Sequence, residues 1–178
     1  MKRIYPIFVV VFFLFFSFNS FSQKREKRKA KETSTLAAPS VNRSQELKAI
    51  GNLLEQYITA NENEDMSLIE DIWAPDADII LIGTTKDNHL MGWNNIRNAF
   101  KKQYEQLDNI YIASSEQYVK LNKAGNTAWF AEILDYNYMK DGKAKTLKGL
   151  RFTGVVKKCP DGKWRFVQAH LSAPLESD

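Results

Sequence analysis

Cysteine occurs once in the 178 residues, as Cys159. A single thiol excludes an internal disulfide framework and a zinc cage built on thiolates. Histidine occurs twice, as His89 and His170, far apart and without a ligand cluster beside either, so metal binding has little support. There is no glycine-rich phosphate loop, and no cofactor is implied. No serine or cysteine stands in a recognisable nucleophile setting. Cys159 lies in a turn beside Lys157 and Lys158 and is read as a surface residue. There is also no domain-wide excess of one charge. Lys+Arg is 25 and Asp+Glu is 21, a net of +4. The first 23 residues carry +2, and residues 24–43 carry seven bases against two acids. Residues 44–178 keep 16 bases against 19 acids, so the folded part is mildly acidic and no nucleic acid is expected as a partner. What is present is apolar mass: 44% hydrophobic and 12% aromatic residues exclude a wholly disordered chain. The about 135 residues beyond position 43 suit one domain and are too few for two.

Residues 1–22 have the three parts of a secretory signal peptide. Lys2 and Arg3 start it, an uncharged apolar run covers 7–16, and Ser20-Phe21-Ser22 places small residues before Gln23. The run falls short of the about 20 residues that span a bilayer. Cleavage after Ser22 and export to the periplasm or cell exterior are expected; an uncleaved N-terminal anchor is the alternative. No cysteine follows the run, which excludes a lipoprotein anchor there. Residues 23–43 are polar and basic, and read as a flexible linker that buries too little apolar area to order itself. This tail is either a solubilising spacer or an arm that touches anionic envelope surfaces.

The folded part alternates legibly. Leu47, Ile50, Leu54, Tyr57 and Ile58 form one stripe, predicting a helix over 44–61 capped by Asn42 or Ser44. A second short helix over 66–73 ends at Pro75-Asp76, and a third covers 93–107 with Ile96, Phe100, Tyr104 and Leu107 on one face. Strands are predicted over 78–83, 89–91, 110–121, 127–139, 145–158 and 163–172, the last four forming an antiparallel sheet. Cys159-Pro160-Asp161-Gly162 is a strong hairpin turn. The fold class is α+β, and there is no internal repeat.

Three stretches resemble the nuclear transport factor 2-like superfamily, in its SnoaL-like branch. They are Leu54-Glu55-Gln56-Tyr57-Ile58 through Trp73-Ala74-Pro75-Asp76-Ala77-Asp78, then Met91-Gly92-Trp93 with Ile96, then Arg151-Phe152-Thr153 through Asp161-Gly162-Lys163-Trp164 to His170-Leu171-Ser172-Ala173-Pro174. The ending is also similar to the association domain of calcium/calmodulin-dependent kinase II. The resemblance implies a cone of curved antiparallel sheet wrapped around a long N-terminal helix, with three helices, over about 44–178. It also implies a pocket, and often a homodimer through the outer sheet face. Trp129, Tyr138, Trp164 and Phe166 are aromatics beyond what one cone interior needs, or else ordinary core filling.

The resemblance matches Tyr57 to the oxyanion-binding tyrosine of the superfamily's ketosteroid isomerases. Their base falls near Leu81 and their second acid near Thr153, and neither residue has a carboxyl group. The kinase domain's pocket arginines fall near Leu134, Gly154 and Leu171. A greasy pocket lined by Tyr57, Trp73, Leu81, Trp93, Phe100, Tyr104 and Leu134 is the expectation, suited to an apolar or aromatic small molecule. Glu132, flanked by large apolar residues, is a functional carboxyl, a partner of Arg151, or exposed. If the turn at 159–162 is a four-residue loop, Arg151 pairs with His170 and Thr153 with Gln168. Arg151, Thr153, Gln168, His170 and Ser172 then form a polar band for an anion or a dimer seam, and Phe152, Gly154, Val167, Ala169 and Leu171 face inward. A three-residue loop with a bulge shifts the pairing by one and sets His170 beside Phe152. Three functions stay open: an exported binding module; an isomerase, dehydratase or cyclase using Tyr57 with Glu132 or His170; and a non-catalytic oligomerisation module. The missing carboxylates favour the first and third.

Overall fold

The computed structural model describes residues 42–85 and 88–174. The predicted signal peptide and all of the predicted linker except Asn42 and Arg43 lie outside the described residues. Helix α1 spans Arg43–Glu62. Asn42 caps it, its side-chain oxygen accepting from the Gln45 N–H at 3.2 Å. Helix α2 spans Met66–Ile72, capped by Asp65 on the Leu68 N–H, and α3 spans Trp93–Tyr104. The strands are β1 (Ile80–Ile82), β2 (His89–Met91), β3 (Asp108–Leu121), β4 (Thr127–Lys140), β5 (Lys143–Lys158) and β6 (Trp164–Ser172).

One curved, unclosed sheet holds all six strands in the order β2-β1-β6-β5-β4-β3. The cone-shaped α+β fold stands, with one correction: the sheet is mixed, because β1 runs parallel to β6. The cause is local. Leaving α2, the chain runs alongside β6, with Trp73 bridging Phe166 in parallel and Ala74 donating to the Phe166 carbonyl. That direction carries into Ile80 beside Gln168 and Ile82 beside His170. The concave face closes over α1, which buries Ile50, Leu53, Leu54, Tyr57, Ile58, Ala60 and Asn61. Leu47, predicted in that stripe, is instead 38% exposed.

Polar contacts fix α1 at both ends. The Arg43 guanidinium donates to the Leu121 and Asn122 carbonyls, and Glu62 accepts the Ile112 N–H at 2.9 Å. Glu46 pairs with Lys158 at 2.6 Å and accepts the Trp164 indole N–H at 2.8 Å. These two bonds hold its carboxyl below the usual range. Trp164 is therefore an interior residue, as is Phe166, and Tyr138 is half-buried beside Tyr136. Of the four aromatics assigned to the outer face, only Trp129 stands exposed.

The β5–β6 register differs from both predicted alternatives. Lys158 pairs with Trp164 rather than Lys163, a one-residue shift made at the turn. A bulge at Val155/Val156 then sets Val155 opposite Gln168, leaving Val167 as the extra residue. Two single shifts restore parity. Arg151 faces Ser172 and Thr153 faces His170, so the predicted polar band keeps its common face with different partners. Val167 is half-buried, and Phe166 takes the inward place. The apolar side chain there fills the core, and the bulge lets it do so without turning His170 inward.

Glu132 lies on the inner face of β4 and is 2% exposed. Its partner is Gln117, whose amide donates to Oε2 at 2.9 Å, while Oε1 has no partner. The pairing with Arg151 is overturned: Arg151 lies opposite Ile133 on the outer face and is exposed. Gln117 reaches inward because β3 bulges between Ser115 and Tyr118, with Glu116 at φ 52°. Burial raises the Glu132 pKa, the Gln117 bond opposes this, and Glu55 adds to it.

Two outcomes follow from this packing. A Cβ at Gly154 would lie 2.6 Å from the Phe130 ring and closer still to the Gln168 carbonyl. Gly154→Ala should cost about 2–3 kcal/mol by overpacking, read as a lowered urea midpoint; an unchanged midpoint would show that the sheet relaxes around it. For Glu132 the folded state binds the proton more tightly than the unfolded state. Its stability contribution is therefore complete below the ordinary value of 4.5 and is lost as pH rises above that value toward the raised one. Glu132→Gln should remove that decline between acid and neutral pH. Equal pH slopes for the two proteins would contradict the assignment.

Candidate functional site

The open end of the cone holds a cavity of about 400 Å³. α1 supplies Tyr57, and α3 supplies Ala99, Phe100, Lys102 and Gln103, with Gln106 and Leu107 just beyond it. Leu81 and Leu90 with the residues between β1 and β2, namely Gly83, Thr84, Thr85 and Asn88, form a second wall. Tyr136, Tyr138, Lys140, Leu147 and Leu150 come from the β4–β5 ends, and Leu171 from β6. Helix α3 packs mainly against α2 and β2. It meets the end of β4 through the Gln103 amide on the Tyr136 hydroxyl, and the cavity lies between them.

Aromatic packing forms the floor. The Tyr57 ring stacks on Phe152 at 4.6 Å and meets Phe100 edge-on at 6.4 Å. Above it lies a fixed polar group. Gln103 donates to Asn61 Oδ1 at 2.9 Å and to the Tyr136 hydroxyl at 3.1 Å. Asn61, fully buried, donates back to the Tyr57 carbonyl at 2.8 Å. Both Gln103 donor bonds are thus used inside the protein, and the Tyr136 hydroxyl keeps its own hydrogen to give. Burial raises the phenol pKa of Tyr57 and of Tyr136, with the Glu132 charge adding at Tyr57, so both stay as O–H donors at neutral pH.

Of the seven predicted lining residues, Tyr57, Leu81 and Phe100 line the cavity. The other four do not. Trp73 is fully buried against Phe166 and Phe100, with its indole N–H unpartnered. Leu134 is fully buried in the core. Tyr104 packs beside Phe100 and donates to the Ala60 carbonyl at 3.2 Å. Trp93 borders a separate depression of about 270 Å³ with Pro75 and Asp76. Trp73 and Leu134 fill space completely instead of bordering a void.

The catalytic candidates are not brought together there. His170 lies on the outer face opposite Thr153 and beside Ile82. Thr153 itself faces outward, so the position matched to a second acid is not on the cavity side. Glu132 does not line the cavity, and among the described residues neither does any other carboxylate or histidine. Among the described residues no group of three His, Cys, Asp or Glu is placed to hold a metal. The residues that sequence reasoning missed are Gln103, Asn61, Tyr136, Tyr138, Lys102 and Lys140. Gln103 sits one turn from Phe100, and Tyr136 and Tyr138 alternate with Leu134; those spacings were the available signal.

Comparison with known proteins agrees with this geometry. A family profile described as a SnoaL-like domain matches residues 50–176. A search of curated proteins finds no match. Among solved structures, a nuclear transport factor 2-like superfamily protein from Salmonella enterica superposes with a TM-score of 0.68 at 18% identity, covering 76% of this chain and 95% of that one. A putative scytalone dehydratase from Novosphingobium aromaticivorans gives 0.66 at 12%, covering 74% and 86%. A putative calcium/calmodulin dependent protein kinase II association domain from Xanthomonas campestris gives 0.62 at 24%, covering 79% and 94%. At these identities the structures speak for the fold alone. Its fold is that of the nuclear transport factor 2-like structures, and the profile match covers most of the chain: the protein belongs to the SnoaL-like domain family.

Proposed function

We propose that this is an exported binding protein that holds a small apolar or aromatic molecule in the cavity without transforming it. The observation that carries the reading is the composition of the wall. Tyr57, Phe100, Leu150, Tyr136 and Tyr138 surround the space, with Gln103 and Tyr136 as the fixed polar pair. A cavity of this volume, mostly apolar with few oriented polar groups, suits a small organic ligand. The proton transfer of the isomerases needs a carboxylate base within reach of the substrate, and the described wall offers no carboxylate or histidine. Export rests on the leader of residues 1–22.

Ala99 is half-buried and borders the cavity, so Ala99→Phe grows into it. Titration with the neutral dye phenylnaphthylamine should give saturable fluorescence with the wild-type chain and at least about tenfold weaker binding, ~1.4 kcal/mol, with the variant. Equal binding by the two proteins, or none by the wild type, would sink the reading.

The outer face favours a second, compatible reading, a homodimer. Trp129 is 47% and Tyr118 56% exposed, and they lie on neighbouring rungs of β4 and β3 with half-exposed Ala131, Ile133 and Val155 beside them. Such a patch commonly marks a protein contact. Native mass spectra of chain expressed with its leader should give a start at Gln23 and twice the chain mass. Trp129→Lys should shift the protein to monomer, and a wild-type monomer at high concentration would end the dimer proposal.

A further inference from the structure

We propose that the ligand is an amphipathic anion, an aromatic or aliphatic body with one carboxylate end, seated with the carboxylate at the cavity mouth between Lys102 and Lys140. This rests on the binding reading above and names its ligand class.

Charge in the wall is one-sided. Among the described residues it contains two lysines and no aspartate or glutamate, in a folded part that has more acids than bases overall. Neither lysine is engaged in an ion pair among the described residues, whereas Lys158 and Lys163 are held at 2.6 Å by Glu46 and Asp71. The two lysines come from different elements, α3 and the end of β4, and border the same space.

Polarity is also graded along both walls. On β4, residues two apart run from buried Tyr136 through half-buried Tyr138 to exposed Lys140. On the α3 side, buried Phe100 gives way to half-buried Gln103 and then to exposed Lys102 and Gln106. A molecule lying along these gradients has its apolar part on the aromatic floor and its charge in reach of both ammonium groups. The reverse orientation would bury a carboxylate where the described wall offers no cation, which is strongly unfavourable. The lysines are exposed, so each contributes modestly and is screened by salt.

The test uses the mature chain and a matched pair of probes, naphthalene carboxylate and the neutral naphthalene carboxamide, titrated calorimetrically. The carboxylate should bind about tenfold tighter at low ionic strength, and the difference should shrink as salt is added. Lys102→Gln with Lys140→Gln should abolish the preference, so that the two probes bind the variant with equal affinity. Equal affinity of the two probes for the wild type would overturn the anion assignment and leave the cavity reading standing. A preference that survives the double substitution would place the charge elsewhere and overturn it too. Absence of binding by both probes, together with failure of phenylnaphthylamine to bind, would remove the cavity reading and this inference with it.

Discussion

The stacking of Tyr57 on Phe152 is the contact around which the rest is arranged. A single helix inside a curved sheet needs something to set its depth, and two rings 4.6 Å apart do so. Such a pair contributes about 1 kcal/mol beyond the area that it buries. Its larger effect is geometric. Tyr57 also meets Phe166 of β6 at 5.8 Å and Phe100 of α3 at 6.4 Å. One helical residue therefore fixes α1 against two strands and supports the third helix. The height of α3 above the ends of β4 and β5 follows, and that height is the cavity. One turn later, Asn61 carries the same constraint into the polar layer through Gln103 and Tyr136.

Most of the fold was legible because its signals are local. Helix bounds follow from caps and stripes: the observed α1 differs from the predicted range by one residue at each end and α2 by one at its end, while α3 stops three residues earlier than predicted. The strands are bounded by glycine, proline and charged turns. Register was not legible, because a bulge answers to tertiary packing. Nothing in Trp164-Arg165-Phe166-Val167 alone says that Phe166 must point inward and that Val167 must be the extra residue. The full burial of Phe166 between Trp73, Phe130 and Phe152 decides it. The polar band survived a wrong pairing only because two single-residue shifts preserve parity. The parallel placement of β1 was hidden for the same reason: it depends on where the chain leaves α2.

The site was legible in part. Tyr57, Leu81 and Phe100 lie on stripes whose facing is clear, so their place on the inner surface could be read. Trp73 and Leu134 lie on the same surface, yet they fill space that other side chains complete. Composition cannot separate a wall from a plug, since both are large and apolar. The polar members were hidden by the opposite habit. Gln103 and Lys102 on a helix, and Lys140 beside a turn, look like ordinary solvated residues, and only the folded chain shows that all three border one space.

The two unusual polar features of the interior are separate, and their separation matters. A buried carboxyl next to a ligand cavity would ordinarily set its field. Glu132 is held instead by Gln117 through a bulge in β3, and burial biases it toward its neutral form. It does not line the cavity, so its carboxyl does not face a molecule held there. Among the described residues the charged groups that border the cavity are the ammonium groups of Lys102 and Lys140. Positions matched to the isomerase acids hold Leu81, which supplies apolar surface, and Thr153, which faces outward. Among the described residues neither matched place puts a carboxylate in the cavity wall, and the polar groups left there are amides, hydroxyls and ammonium groups. Such groups orient a bound molecule by hydrogen bonds and charge, which is the basis of the binding function proposed above.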